Sequence, residues 1–171
     1  MKGKDIKACL SEFPIVLKHF QGIYRLEDVS NVHIKNLMFI IVYVSNSVKL
    51  ELGHWISIFR NEQNHFEIFD TFGALHKDRI IHALPKDIAK AAQINESEFQ
   101  CRNSKNCGAF TLYAIVARIL NLDETFSEFL NHSFTSNCLD NEKRVKRFFF
   151  EHGFSEESQR TSATQCDKSS T

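Results

Sequence analysis

The sequence lacks any apolar stretch long enough to cross a membrane. Its longest apolar run extends from Leu37 to Val44, whereas a transmembrane helix needs about 20 such residues. The amino terminus, which reads Met-Lys-Gly-Lys-Asp, leads into no apolar signal region. Together these two absences predict a soluble, intracellular protein with no membrane partner.

An excess of charge of either sign is also missing. The chain has 21 Lys and Arg residues against 21 Asp and Glu residues, so no whole-chain field would attract nucleic acid or an anionic membrane. No break in composition divides residues 1–154, which predicts a single domain with a sizeable core and, we expect, a monomer. The polar residues 155–171 are rich in Ser and Thr and are expected to form a disordered tail.

Paired cysteine motifs are absent as well. The number of cysteines is odd, five in all, and none are spaced as CxxC. This pattern argues against both a disulfide framework and a zinc ribbon. We therefore expect reduced thiols and no metal requirement.

The strand signals are strongest in the first half of the chain. The run from 37 to 44 is rich in β-branched and aromatic residues and predicts a central strand. Residues 53–60 and 65–70 alternate between apolar and polar and predict an antiparallel hairpin, and 94–99 predicts a further strand. Because hairpin strands run in opposite directions, His54 at the start of one and Asp70 at the end of the other should emerge at the same sheet edge.

The helix signals surround these strands. Residues 3–12 predict a short helix closed by Pro14, and residues 76–84 predict a second before Pro85. Residues 15–35 read mostly as loop, with a helical turn near 26–29. Two further helices are expected near the C-terminus, capped by Asp123 and Asp140, with Gly153 ending the last.

The longest predicted helix, from Gly108 to Leu122, is apolar on nearly every face and should pass through the core. Cys107 directly precedes it, where unpaired backbone N–H groups and the positive end of the helix dipole favour a thiolate. Taken alone, a cysteine is as well explained as a small core residue. Taken with its surroundings, Cys107 is a candidate nucleophile.

Cysteine catalysis requires a base, a group that orients the base, and donors for the oxyanion. His54 can act as the base, and Asp70 can fix its tautomer. Gln100 can donate to the oxyanion together with the backbone N–H of Cys107. Each of these residues has an ordinary structural reading, as a surface histidine, a turn aspartate or a loop glutamine, so the hypothesis depends on their occurring together.

The same residues resemble a known family, the adenain-like (adenovirus-type) cysteine proteases, which are related to ubiquitin-like protein proteases. The similarity lies in three motifs in a fixed order, Gly53-His54-Trp55, Phe69-Asp70-Thr71-Phe72-Gly73 and Gln100-x-x-Asn103-Ser104-x-x-Cys107-Gly108-x-Phe110. It implies His54 as base, Asp70 as its orienting residue, Gln100 as oxyanion donor and Cys107 as nucleophile, with Trp55 beside the substrate.

The resemblance implies an α+β, papain-like fold with a mainly antiparallel twisted sheet packed on the 108–122 helix. It further implies an endopeptidase that cuts structural precursors of a virus or virus-like element after small residues such as Gly, in the virion or host nucleus if the protein is viral. An isopeptidase for ubiquitin-like modifiers and an inactive adaptor are the alternatives. Ala89 stands where adenoviral members have a cysteine that tethers an activating peptide, so a disulfide-tethered peptide is not expected here.

A basic cluster lies on the last predicted helix. It consists of Lys143, Arg144, Lys146 and Arg147. Adenain-like enzymes use DNA as a cofactor, so the resemblance implies that this cluster contacts phosphates. A solvated helix face is the alternative reading.

Overall fold

The computed structural model describes residues 3–45 and 53–154, and the statements below concern these ranges. The helices are α1 (Gly3–Ser11), α2 (Pro14–Leu17), α3 (Lys77–Ala83), α4 (Lys86–Ala91), α5 (Cys107–Leu120), α6 (Phe126–Ser133) and α7 (Cys138–Glu151). The strands are β1 (Phe20–Arg25), β2 (Phe39–Val44), β3 (His54–Arg60), β4 (Phe66–Asp70) and β5 (Ala92–Ile94). Two 3₁₀ helices, Leu26–Asn31 and Gly73–His76, connect these elements.

The five strands form one sheet in the order β1-β2-β3-β4-β5. The central strands β2, β3 and β4 pair antiparallel, whereas β1 runs parallel to β2 and β5 runs parallel to β4. The fold is therefore compatible with the predicted α+β class, but the sheet is mixed rather than mainly antiparallel. The two parallel edges arise because β1 and β5 reach the sheet through helical connections rather than hairpins.

Both faces of the sheet are covered. Phe39 and Ile41 of β2 belong to the core that includes α1, α5, α6 and α7, and the alternate residues Ile40 and Val42 belong to a second core under α3 and α4. Burial on both faces explains why the 37–44 segment is continuously apolar rather than alternating. The strands that supply the catalytic candidates therefore lie in the interior of the domain.

Several predictions from the sequence are confirmed. The hairpin is formed by β3 and β4, the short first helix is α1, and the core helix is α5, which begins at Cys107 itself. The helix predicted before Pro85 is α3, and the helical turn near Leu26 is the first 3₁₀ helix. These segments carry strong local periodicity, which is the signal that tertiary contacts alter least.

Other predictions were wrong. Residues 20–25 form β1 instead of loop, because pairing with β2 compensates for a half-exposed strand that contains Gly22. The last strand is Ala92–Ile94 rather than 94–99, and residues 86–91 form the unpredicted α4. Short segments of this kind are decided by tertiary pairing more than by local pattern.

The predicted caps were also wrong. Helix α6 begins after Thr125, whose side chain forms a capping box with Glu128, and not at Asp123. The side chain of Asn137, and not of Asp140, accepts from the first turn of α7. Both caps place an oxygen next to backbone N–H groups that have no partner within the helix.

The expectation that all thiols are reduced is contradicted. Cys101 and Cys138 form a disulfide, with their Cα atoms 5.1 Å apart, and Cys9 and Cys107 are free. The fold brings the loop before α5 against the start of α7, which sequence spacing could not reveal. No described helix is long and apolar enough to span a membrane, and the predicted tail at 155–171 lies outside the described residues.

Candidate active site

The register of the sheet brings His54 and Asp70 together. His54 opens β3 opposite Val44, and Asp70, the last residue of β4, pairs with Ile56. The imidazole Nε2 lies 2.6 Å from Oδ1 of Asp70, and the two residues are 7% and 0% exposed. The predicted meeting of these residues at one sheet edge is confirmed.

The carboxylate of Asp70 is held from several directions. The backbone N–H of Phe72 donates to Oδ1 at 2.8 Å, and Nδ1 of His76 lies 3.1 Å from Oδ2. The buried side chain of Asn95 accepts from the Asp70 N–H and donates to its carbonyl, at 2.8 and 2.6 Å. Burial opposes ionisation, but the hydrogen bonds from His54 and His76 outweigh it and lower the pKa of Asp70 to about 2. The group is therefore a carboxylate at neutral pH.

Cys107 occupies the first position of α5, as the sequence predicted. The Oγ1 of Thr111 donates to the carbonyl of Trp55 at 3.0 Å and fixes the first turn of the helix against β3. On the other side, Asn106 donates to Glu142 of α7 at 2.9 Å. The thiol is thus held between the sheet that carries His54 and the last helix.

The imidazole of His54 couples Asp70 to Cys107. Its other nitrogen, Nδ1, is buried and has no hydrogen-bond partner among the described residues. The nearby imidazole nevertheless lowers the pKa of the Cys107 thiol, and catalytic hydrogen bonds are often loose before substrate binds. Burial alone would lower the pKa of His54, but Asp70 and Cys107 together raise it to about 9.

The thiol shows the complementary shift. Burial opposes the thiolate, yet the interaction with His54 and a backbone hydrogen bond from Trp55 lower the pKa of Cys107. The other free cysteine among the described residues, Cys9, behaves oppositely, because burial and the nearby charges of Asp5 and Glu12 raise its pKa to about 11. Of these two thiols, Cys107 is therefore the one whose surroundings favour the thiolate.

Gln100 is buried in the loop before α5 and is already engaged in hydrogen bonds. It is 2% exposed, its backbone N–H donates to Thr71, and its Nε2 donates to the carbonyl of Ser104 at 2.8 Å. An amide nitrogen carries two hydrogens, so one N–H is left after the bond to Ser104. The backbone N–H of Cys107 lies at the helix start, where no acceptor exists within the helix. These two groups can supply the oxyanion donors.

The remaining predicted residues are less clearly part of the site. The ring of Trp55 is 8% exposed and packs on Tyr43 at 4.9 Å between centroids, so its contact with substrate stays a prediction. Arg144 donates to the carbonyls of His132 and Ser133 at the end of α6, which gives it a structural role.

The other members of the basic cluster lie at the surface of α7. Lys143, Lys146 and Arg147 are exposed, and Lys143 pairs with Asp140 at 3.3 Å. Phosphate binding by this helix stays a prediction.

Sequence reasoning missed His76 and Asn95, both of which contact Asp70. Neither lies in a recognisable motif, and only their positions shortly after β4 and directly after β5 could have suggested them. The ligand atoms of His54, Asp70 and His76 lie within 4.8 Å of one another, a spacing that could suit a divalent ion. Since each of these atoms already takes part in a hydrogen bond at the carboxylate, hydrogen bonding accounts for the arrangement.

Comparison with known proteins adds little to this geometry. No protein-family model and no curated protein matches the chain. Among solved structures, the chain is similar to the central domain of the uncharacterized Lpg1148 protein from Legionella pneumophila, with 12% identity and a TM-score of 0.43. That similarity covers 95% of this chain and 97% of the other.

Proposed function

We propose that the protein is a cysteine endopeptidase in which Cys107 is the nucleophile, His54 the general base and acid, and Asp70 the residue that orients His54. The observations that support this most directly are the 2.6 Å contact of the buried His54 imidazole with the ionised Asp70 carboxylate and the pKa of the Cys107 thiol, which His54 lowers. His54 and Asp70 meet at one strand edge and Cys107 opens a helix, which supports the proposal because thiol catalysis needs a base, an orienting group and a nucleophile.

The reaction follows from these positions. The thiolate of Cys107 attacks the scissile carbonyl, and the developing oxyanion receives hydrogen bonds from Gln100 and the backbone N–H of Cys107. Protonated His54 donates its proton to the leaving amine, and a thioester remains. Water, deprotonated by His54, then hydrolyses the thioester and regenerates the free thiol.

The proposed substrates are extended segments of structural precursor proteins, cut after small residues such as Gly. This choice depends on the resemblance to adenain-like proteases and on the expectation that Trp55, the helix start and Gln100 crowd the scissile bond. Use of DNA as a cofactor through the exposed basic residues of α7 belongs to the same proposal.

The test compares the two free thiols. A Cys107→Ala variant should lose all turnover while its melting temperature is retained, whereas Cys9→Ala should keep turnover because Cys9 is a buried thiol with a raised pKa. Residual cleavage by Cys107→Ala would overturn the assignment.

Substrate class is tested by comparing peptides ending in Gly motifs with fusions to a folded ubiquitin-like modifier. Efficient peptide cleavage with no gain from the folded domain supports the endopeptidase. A gain of several orders of magnitude would favour the isopeptidase, whose affinity would come from the modifier's surface.

A further inference from the structure

Asp70 carries a second imidazole that the proposed reaction does not use. Nδ1 of His76 lies 3.1 Å from Oδ2 of Asp70, the oxygen opposite the one that contacts His54. The two rings face each other at 5.0 Å between centroids, and the His76 side chain is 27% exposed. One buried carboxylate is therefore held between two histidines from different elements.

The division of contacts between the two oxygens limits how the carboxylate can rotate. Oδ1 lies 2.6 Å from Nε2 of His54 and accepts a hydrogen bond from the Phe72 N–H at 2.8 Å. His76 is the described donor to Oδ2. If His76 did not donate, a buried carboxylate oxygen would lose a charge-assisted hydrogen bond. Rotation of the group would then compete with its contact to His54.

The donor role of His76 at this contact follows from the ionisation of Asp70. Asp70 is ionised, so it can only accept, and the proton between Nδ1 of His76 and Oδ2 must reside on the nitrogen. This requirement is met by the neutral ring with its proton on Nδ1 and also by the cation. In both forms, His76 acts as a donor to the carboxylate.

The local fold places His76 for this role. Gly73 adopts φ +58°, and a Cβ atom there would overlap the backbone carbonyl of Glu96. The tight turn that Gly73 permits returns the chain over the end of β4. The ring of Phe72 then lies 5.0 Å from His54 and 6.2 Å from His76, so it closes one side of the pair.

We propose that His76 is a positioning residue, which holds Oδ2 of Asp70 so that Oδ1 remains on Nε2 of His54 and Nδ1 of His54 remains directed toward Cys107. This inference rests on the proposed function, because it assigns His76 a part in activating the same thiol. The charged and titratable groups around His76 are Asp70 of β4, His54 of β3, and the neighbouring exposed pair of Lys77 and Glu96, 3.2 Å apart.

The test uses two amide replacements of His76. The amide nitrogen of Asn can occupy the place of the ring Nδ1, whereas the amide nitrogen of Gln reaches the place of Nε2. His76→Asn should therefore keep the donor to Asp70, and His76→Gln should lose it. Both variants are polar at a partly exposed position, and His82→Gln on the exposed face of α3 is the matched control.

The readouts are the rate of Cys107 alkylation by iodoacetamide across pH and the rate of peptide cleavage. His76→Gln should lower both rates at neutral pH by roughly 10–100-fold, the range seen when a hydrogen-bonded orienting residue is removed. It should also move the acid limb of the alkylation profile to higher pH. His76→Asn and His82→Gln should stay near the unmodified protein.

The outcomes separate this inference from the proposed function. Equal alkylation profiles and cleavage rates for His76→Asn and His76→Gln, whether both normal or both impaired, would overturn the positioning role. Such a result would mean that the position of the amide nitrogen, and so the hydrogen bond to Asp70, does not matter. If the unmodified protein showed no fast-alkylating Cys107 and no cleavage, the proposed function itself would fail.

Discussion

The buried ion pair between Glu67 of β4 and Arg118 of α5 offers a quantitative test of how the site is held together. Nε and Nη2 of Arg118 contact the Glu67 carboxylate at 2.7 and 3.0 Å. Glu67 is 3% exposed and Arg118 is 6% exposed. The guanidinium also lies over the rings of Phe59 and Phe129, at 5.5 and 5.9 Å. The pair therefore joins the strand that ends at Asp70 to the helix that begins at Cys107.

Replacing one partner leaves the other charge buried. Glu67→Leu should destabilise the fold by about 3–5 kcal/mol, because the guanidinium keeps its desolvation penalty and loses its counter-charge. For a domain of this size that loss corresponds to a fall in melting temperature of roughly 6–20 °C. Arg118→Met should cost a similar amount, since the buried Glu67 carboxylate would keep only its hydrogen bond from Asn61, at 3.0 Å.

The double variant distinguishes the explanation from simple loss of packing. Apolar replacement of both members of a buried pair is often neutral or stabilising, so Glu67→Leu combined with Arg118→Met should recover most of the stability lost by Glu67→Leu. Urea unfolding of the four proteins gives the coupling energy directly. A double variant that loses the sum of the two single losses would refute this reasoning, as would a single Glu67→Leu loss below about 1 kcal/mol.

Three further predictions concern the site. Gln100→Ala should lower kcat by roughly 10²–10³-fold, as for loss of one oxyanion donor, and an unchanged kcat would remove Gln100 from the mechanism. Cys138→Ser should lower the free energy of unfolding in non-reducing buffer by about 4 kcal/mol, as the loop-entropy model gives. Equal urea midpoints for the variant and the unmodified protein would contradict the disulfide, and reduced samples serve as the control. Because the pKa of Asp70 is lowered from 3.8 to about 2, its ionisation stabilises the fold above pH 3.8, and about 2 kcal/mol should be lost as pH falls through 2. Asp70→Asn should lack that component of the acid-induced change in urea midpoint, and identical pH dependence would show that Asp70 is not held as described.

The local pattern of the sequence determined the parts of the site that depend on strand and helix boundaries. The alternation in 53–60 and 65–70 predicted the hairpin that places His54 beside Asp70, because antiparallel pairing makes the start of one strand the neighbour of the other's end. The apolar segment after Cys107 predicted the helix that places the thiol at its first turn. Both features follow from periodicity over several residues.

Tertiary structure alone decided the contacts between distant segments. His76 reaches Asp70 from the 3₁₀ helix that follows β4, and Asn95 reaches it from the end of β5. Cys101 reaches Cys138 across 37 residues. No local pattern encodes such pairings, since they depend on how the chain returns to the end of β4 and to the start of α7. The sequence therefore determined which residues could perform the chemistry. The packing of the chain around the sheet edge decided which neighbours orient those residues and shift their pKa values.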